Sequence, residues 1–178
     1  MTIYEVILVF ITGVIVFVTA FYILKIFLDN ENKRRMLDYK TQNLKLITPV
    51  RLQAYERIVL FLERISPNSL IVRLQFTGMQ SHQLQMEMLK LIRAEFEHNL
   101  SQQIYMSDNA WEVACSAKEN VIKLINLSAE NVAKDAPAIE LSKQIMEQWI
   151  NTNPTPVKTA IVFIKKEINA FLNKDFKG

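Results

Sequence analysis

Glycine is scarce in this chain: three residues in 178, at 13, 78 and 178, against an average usage of about 7%. Tight left-handed turns are therefore few, and since no two glycines lie close together, a glycine-rich phosphate-cradling loop is excluded. Cys115 is the single cysteine, so no intramolecular disulfide can form, a disulfide-stapled secreted scaffold is ruled out, and a reducing compartment fits. With two histidines, His82 and His98, beside that one cysteine, the four Cys or His ligands of a structural zinc site are lacking. The nucleophile motifs Gly-x-Ser-x-Gly and Ser-x-x-Lys are missing too.

Charge is missing in one place above all. From Val6 to Leu24 there is no charged side chain for 19 residues, and Ile3, Tyr4 and Ile26 to Leu28 extend the apolar stretch. About 20 residues cross a bilayer core at 1.5 Å each, so the pattern predicts a transmembrane helix. A cleaved signal peptide, with Val18-Thr19-Ala20 as the cleavage site, is the rival. Against it, the segment before the run carries Glu5 and no base, and the apolar run continues past Ala20. A buried soluble helix would rarely lack a polar position over five turns.

No Lys or Arg precedes the span, whereas Lys25, Lys33, Arg34, Arg35, Lys40, Lys45 and Arg51 follow it. That asymmetry predicts an outside N-terminus and a cytoplasmic C-terminal domain, with Tyr4 and Tyr22 near the interfaces. Within the span, Thr12 and Gly13 recur seven residues later as Thr19 and Ala20, placing the smallest side chains on one face where a second helix can approach. Simple tolerance of small residues in a lipid-facing helix accounts for the same pattern. Lys33, Arg34 and Arg35 either touch anionic headgroups, at about 1 kcal/mol each, or merely fix topology.

At this length there is room for one ordinary domain beyond the anchor. The expected division is an anchor over 1–28, a basic stalk over 29–48 and a helical domain over 49–178. Thr48 and Pro49 suit an N-cap and first helical position, so a new helix is expected there. It carries Leu52, Tyr55, Ile58, Val59, Leu62 and Ile65 on one stripe, and Ser66-Pro67-Asn68 ends it. A short apolar segment, Leu70 to Leu74, precedes a turn at Gly78. Ser81 opens a long helix to about Tyr105, with Leu84, Met88, Leu91, Ile92, Phe96 and Leu100 facing inward.

Ser107 caps the next helix, whose buried face reads Trp111, Ala114, Cys115, Val121, Ile122 and Ile125, with Glu119 and Lys123 paired outside. Asp135-Ala136-Pro137 starts a helix bearing Ile139, Leu141, Ile145, Met146 and Trp149. After Asn151 to Pro156, a last helix over Val157 to Leu172 aligns Ile161, Ile164, Ile168 and Phe171. No segment alternates cleanly enough for a strand and no fixed repeat occurs, so the expected fold is all-α: a transmembrane helix followed by an irregular multi-helix bundle.

Residues 67–178 hold twelve bases and twelve acids, whereas 25–66 hold nine bases and five acids. The basic excess thus lies beside the span, and no nucleic-acid partner is expected, since such a binder carries its basic patch on the folded domain. Two features invite chemistry. Glu95-Phe96-Glu97-His98 contains the Glu-x-x-His step of di-iron bundles, yet the second step is absent because Met79 stands three residues before His82. Cys115, beside Ala114 and Trp111, reads as inert packing.

The pairs Glu56-Arg57 and Glu63-Arg64 stand seven residues apart on one helical face without oppositely charged i+4 partners, so their counterparts lie in another helix, in solvent or headgroups, or in a partner protein. Arg51-Leu52-Gln53-Ala54-Tyr55-Glu56-Arg57, Leu60-Phe61-Leu62-Glu63-Arg64-Ile65, His98-Asn99-Leu100-Ser101-Gln102-Gln103 and Ser107-Asp108 with Trp111 resemble a family of small bacterial membrane proteins without assigned function. The resemblance implies one N-terminal span in the inner membrane, a helical cytoplasmic domain, and no catalytic residues.

The expected function is therefore a non-enzymatic, membrane-anchored interaction module, without cofactor or metal. Its partners would be the bilayer and either a membrane-protein complex or further copies of the chain. Anionic-lipid sensing through Lys33, Arg34 and Arg35 is one alternative. A metal- or small-molecule-binding bundle using Glu95 and His98 is another.

Overall fold

A computed structural model describes residues 3–74 and 77–177, which form six α-helices and one 3₁₀ helix, with no strand among the described residues. An all-α fold with an N-terminal apolar helix followed by a helical bundle is what the hydrophobic periodicity predicts. The chain divides into two compact units, Met1–Ile47 and Thr48–Gly178.

The first unit is helical, and no side chain is buried among its described residues. Its side chains from Phe10 to Asn30 are all exposed, and the stretch Phe10–Tyr39 contains a window long and apolar enough to cross a membrane, none of it buried within the chain. The side chains of Glu5, Val6 and Lys40 lie outside the described residues.

Helix α1 runs from Ile3 to Arg64 with Pro49 inside it, so the expected restart at Thr48 does not occur. Proline at 49 deletes one bond, to the Lys45 carbonyl, and crowds that carbonyl, a cost of about 3 kcal/mol. Helical residues on both sides and the packed face beyond it offset that cost. The boundary between the two units still falls beside this proline.

The second unit is organised around the last part of α1 and the turn that follows it, which bury Ala54, Tyr55, Ile58, Phe61, Leu62 and Ile65 at three-to-four spacing. Helix α2 (Pro67–Arg73) turns the Leu70 to Leu74 segment into two turns, burying Leu70 and leaving Val72 exposed. Helix α3 (Ser81–Asn99) is capped reciprocally by Gln80 and Gln83, and it buries Leu84, Met88 and Ile92. It stops short of Tyr105. The Asn99 amide donates to the Glu95 carbonyl (2.8 Å), the chain leaves α geometry there, and a 3₁₀ helix over Leu100–Tyr105 follows, so Leu100 is exposed rather than buried.

Ser107 caps α4 (Asp108–Glu130), its hydroxyl accepting from the Ala110 N–H at 3.0 Å. The buried face of α4 is Ala110, Ala114, Ala117, Val121 and Ile125, rotated from the expected one, so that Trp111, Cys115 and Ile122 are half-buried. Three of the residues on that face are alanines, and α4 packs against α6, α5 and α3. Glu119 meets Lys118 at 2.8 Å instead of pairing with Lys123.

Helix α5 (Ala138–Asn151) buries Ala138, Leu141, Ile145 and Trp149 but exposes Ile139. Helix α6 (Pro156–Lys177) is longer at both ends than expected and buries Val157, Ala160, Ile161 and Ile164. The start of α3 is fastened to the start of α5: the Ser81 N–H donates to the Ala136 carbonyl (2.8 Å) and the Ala138 N–H to that of Met79 (3.0 Å). His82 belongs to this joint, its Nδ1 lying 2.9 Å from the Lys134 carbonyl.

Candidate functional site

Charged and hydroxyl side chains in the second unit gather at two points on α1. At the first, Glu95 of α3 is 8% exposed and lies between two guanidinium groups. Arg64 Nη1 approaches one carboxylate oxygen at 3.2 Å, and Arg73 Nη2 the other at 2.8 Å. Burying a carboxylate is costly unless it is paired, and here three helices supply the pair. Both oxygens of Glu95 are thereby committed, while His98 is exposed, so the Glu-x-x-His step does not open a ligand pair. Among the described residues no three His, Cys, Asp or Glu side chains cluster as a metal site would require.

The second point joins α1, the α4 cap and α6. The buried Tyr55 hydroxyl donates to Glu167, and Ser107 Oγ lies 2.8 Å from each oxygen of the same carboxylate. Ser107 thus serves α4 as a cap and α6 as a donor. Nearby, Arg51 Nε donates to the Tyr105 carbonyl (3.2 Å) while its guanidinium carbon lies 4.0 Å from the centre of the Phe171 ring. Burial and then the Glu167 carboxylate push the Tyr55 phenol up from its usual pKa of 10.0, against opposing hydrogen bonds from Ser107 and Arg51. The sequence does not show this group, because its members are up to 112 residues apart and only Ser107, as the α4 cap, belongs to a local motif.

Aromatic packing fills the space between α1, α3 and α4. Phe61 tilts against Phe96 (centroids 6.0 Å apart), Phe96 stacks on Trp111 (5.6 Å), and Lys118 Nζ sits 3.9 Å from the Phe96 centroid. Cys115 flanks this row. Burial raises its thiol pKa, Glu119 and Glu112 reinforce that, and Lys118 opposes it, which keeps sulfur in the protonated, unreactive form at neutral pH.

The remaining sequence candidates are exposed. Arg64 reaches across to α3, whereas Glu56, Arg57 and Glu63 stay on the surface of α1. Glu63 forms one lip of a surface cleft of about 400 Å³, floored by Trp149, Val157 and Ile161, whose other lip carries Lys158 and Lys165 of α6. The two lysines were not anticipated, although their seven-residue spacing repeats that of Glu56 and Glu63.

In the first unit the Thr12 hydroxyl donates to the Leu8 carbonyl, and that of Thr19 lies 2.9 Å from the carbonyls of Ile15 and Val16. The threonine protons are therefore used within the helix. A Cβ added at Gly13 would meet nothing within 4 Å, and Ala20, two turns further along the helix, is exposed. Lys33 and Arg34 are exposed, and Arg35 pairs with Glu31 one turn back at 3.1 Å.

No curated protein and no solved structure is significantly similar to this chain. Over residues 1–171 its sequence matches DUF7935, a family of unknown function, and the chain belongs to that family.

Proposed function

We propose that this protein is a non-enzymatic interaction module held in a bacterial plasma membrane by a single N-terminal span, with the helical domain in the cytoplasm and the N-terminus outside. The carrying observation is the contrast in coverage: Phe10–Tyr39 contains a membrane-length apolar window with no part buried by the chain, while the bundle closes its own core. An apolar surface of that extent needs a cover, and lipid supplies it. The absence of bases before the span and their abundance after it support the orientation.

The fate of the partly buried acids supports a binding role over a catalytic one. Glu95 is held by two arginines and Glu167 by Tyr55 and Ser107, so each carboxylate is engaged in joining helices. What the domain offers outward is a surface, and its partner is either an inner-membrane complex to which it is accessory or further copies of itself. Affinity purification of the full chain from native membranes in mild detergent, with mass spectrometry of what is retained at constant ratio, tests this. A stoichiometric partner or a defined homo-oligomer is expected; a monodisperse monomer with nothing bound would sink the proposal.

Anionic-lipid sensing is a second reading, supported by the exposure of Lys33 and Arg34 in the first unit. It calls for attachment to anionic vesicles that weakens with salt.

A further inference from the structure

Two surface stripes in the bundle have the same spacing and opposite charge. On α1, Glu56, Leu60 and Glu63 stand at i, i+4 and i+7, and all three are exposed. On α6, Lys158, Val162 and Lys165 repeat that spacing and are exposed as well. No base stands three or four residues from either glutamate within α1, and no acid stands so from either lysine within α6. Arg57 and Arg64 lie one residue further round, on the side where Arg64 meets Glu95. Neither stripe is neutralised by its own helix.

Nor do the stripes neutralise each other within the chain. Glu63, Lys158 and Lys165 line the same cleft from opposite lips, yet no ion pair within 4.0 Å joins them among the described residues. The helices that carry them run antiparallel: Arg51 lies over Phe171, Tyr55 meets Glu167, and Glu63 shares the cleft with Lys158. Glu63 is thus level with the Lys158 end of the cleft, while Glu56 and Leu60, which continue the α1 stripe beyond the cleft's lining, lie toward the Lys165 end.

We infer that this cleft is a self-complementary docking surface whose occupant is a second copy of the same chain, an inference that rests on the interaction-module reading above. A two-fold axis parallel to the cleft carries the acidic lip of one copy onto the basic lip of the other, twice, with Glu56 over Lys165, Glu63 over Lys158 and Leu60 against Val162. A two-fold across the cleft would set acid on acid, so charge selects one of the two symmetric arrangements. The selected axis lies along the 48–64 part of α1. Both copies therefore receive their N-terminal segments at the same end, as two chains inserted in one bilayer require.

The test uses the full chain in mild detergent, with mass measured by light scattering. Wild type forms a dimer, and either Glu56→Lys with Glu63→Lys or Lys158→Glu with Lys165→Glu weakens it by roughly tenfold or more, since each change replaces attractions by repulsions at both lips. Co-expressing those two variants with different tags yields a heterodimer, because one copy then has two basic lips and the other two acidic lips. The fourfold exchange in one chain restores the homodimer. Circular dichroism confirms that every variant remains folded.

A dimer indifferent to both reversals would overturn the cleft while leaving association through another surface. A wild-type chain that is monomeric but holds a different protein at constant ratio would overturn self-docking and leave the interaction module standing. A bare monomer would overturn both.

Discussion

The two units of this chain use the same helix for opposite ends. Between residues 10 and 30 every side chain of α1 is exposed, while between 54 and 65 six of twelve are buried. The difference is one of pattern more than of composition: apolar residues surround the helix in the first unit and occupy a stripe in the second, where Glu56, Arg57, Glu63 and Arg64 fill the rest. A stripe can be covered by neighbouring helices of the same chain. An apolar cylinder offers no such stripe, and none of this one is buried by the chain.

That contrast is most directly broken by giving the first region the charge it lacks. Val14→Arg with Val18→Arg places two guanidinium groups within the apolar run at a cost of about 5–7 kcal/mol. The altered protein is expected to leave the membrane pellet on alkaline extraction while its domain keeps its helical circular dichroism. Retention in the pellet would show that something other than lipid covers the helix.

The converse change strikes the stripe. Phe61 is 1% exposed and packs on Phe96, so Phe61→Ala removes a core ring and leaves a cavity, costing about 3–5 kcal/mol. Thermal unfolding of the domain should move to lower temperature with no change in membrane extraction. If both properties changed together, the two units would not be energetically separate.

Next in size is the carboxylate shared by three helices. Glu95→Ala removes the partner of Arg64 and Arg73 together, but both guanidiniums are more than a third exposed and can turn to water, which limits the loss to about 1–3 kcal/mol. Chemical denaturation should show the loss. In the Glu95→Ala background, removing Arg73 as well should add little, and a full further loss would mean that Arg73 acts elsewhere.

Legibility in the sequence follows the range of the interaction. Ser107 was readable as a cap because its acceptor role is satisfied three residues away at Ala110, and the stripes of α1, α3 and α6 were readable because a helical face is a local pattern. Pro49 misled for the same reason: its local preference is to start a helix, and the residues packed beyond it override that. The rotation of α4 depends on how it packs against α3, α5 and α6, a tertiary fact. Of the candidate site residues, the four charges on α1 are a pattern local to one helix, but the assignment of Arg64 to Glu95, and the opposing lysines of α6, required helices distant in sequence to be brought together.

The smallest expected effect tests that long-range layer. Tyr55→Phe keeps the buried ring and removes one donor to Glu167, a change of about 1 kcal/mol at neutral pH, visible as a small shift in the denaturation midpoint. Its pH dependence is more telling. The phenol pKa is raised in the folded state, so the neutral form is favoured there; the associated stability is fully present below the unfolded value of 10.0 and is lost as pH rises through the higher folded value. Wild type should therefore lose stability faster than Tyr55→Phe above pH 10, and the two curves should run parallel below it. Parallel curves throughout would mean that the Tyr55 hydroxyl titrates in the folded chain as it does in water, and that Glu167 is held by Ser107 alone.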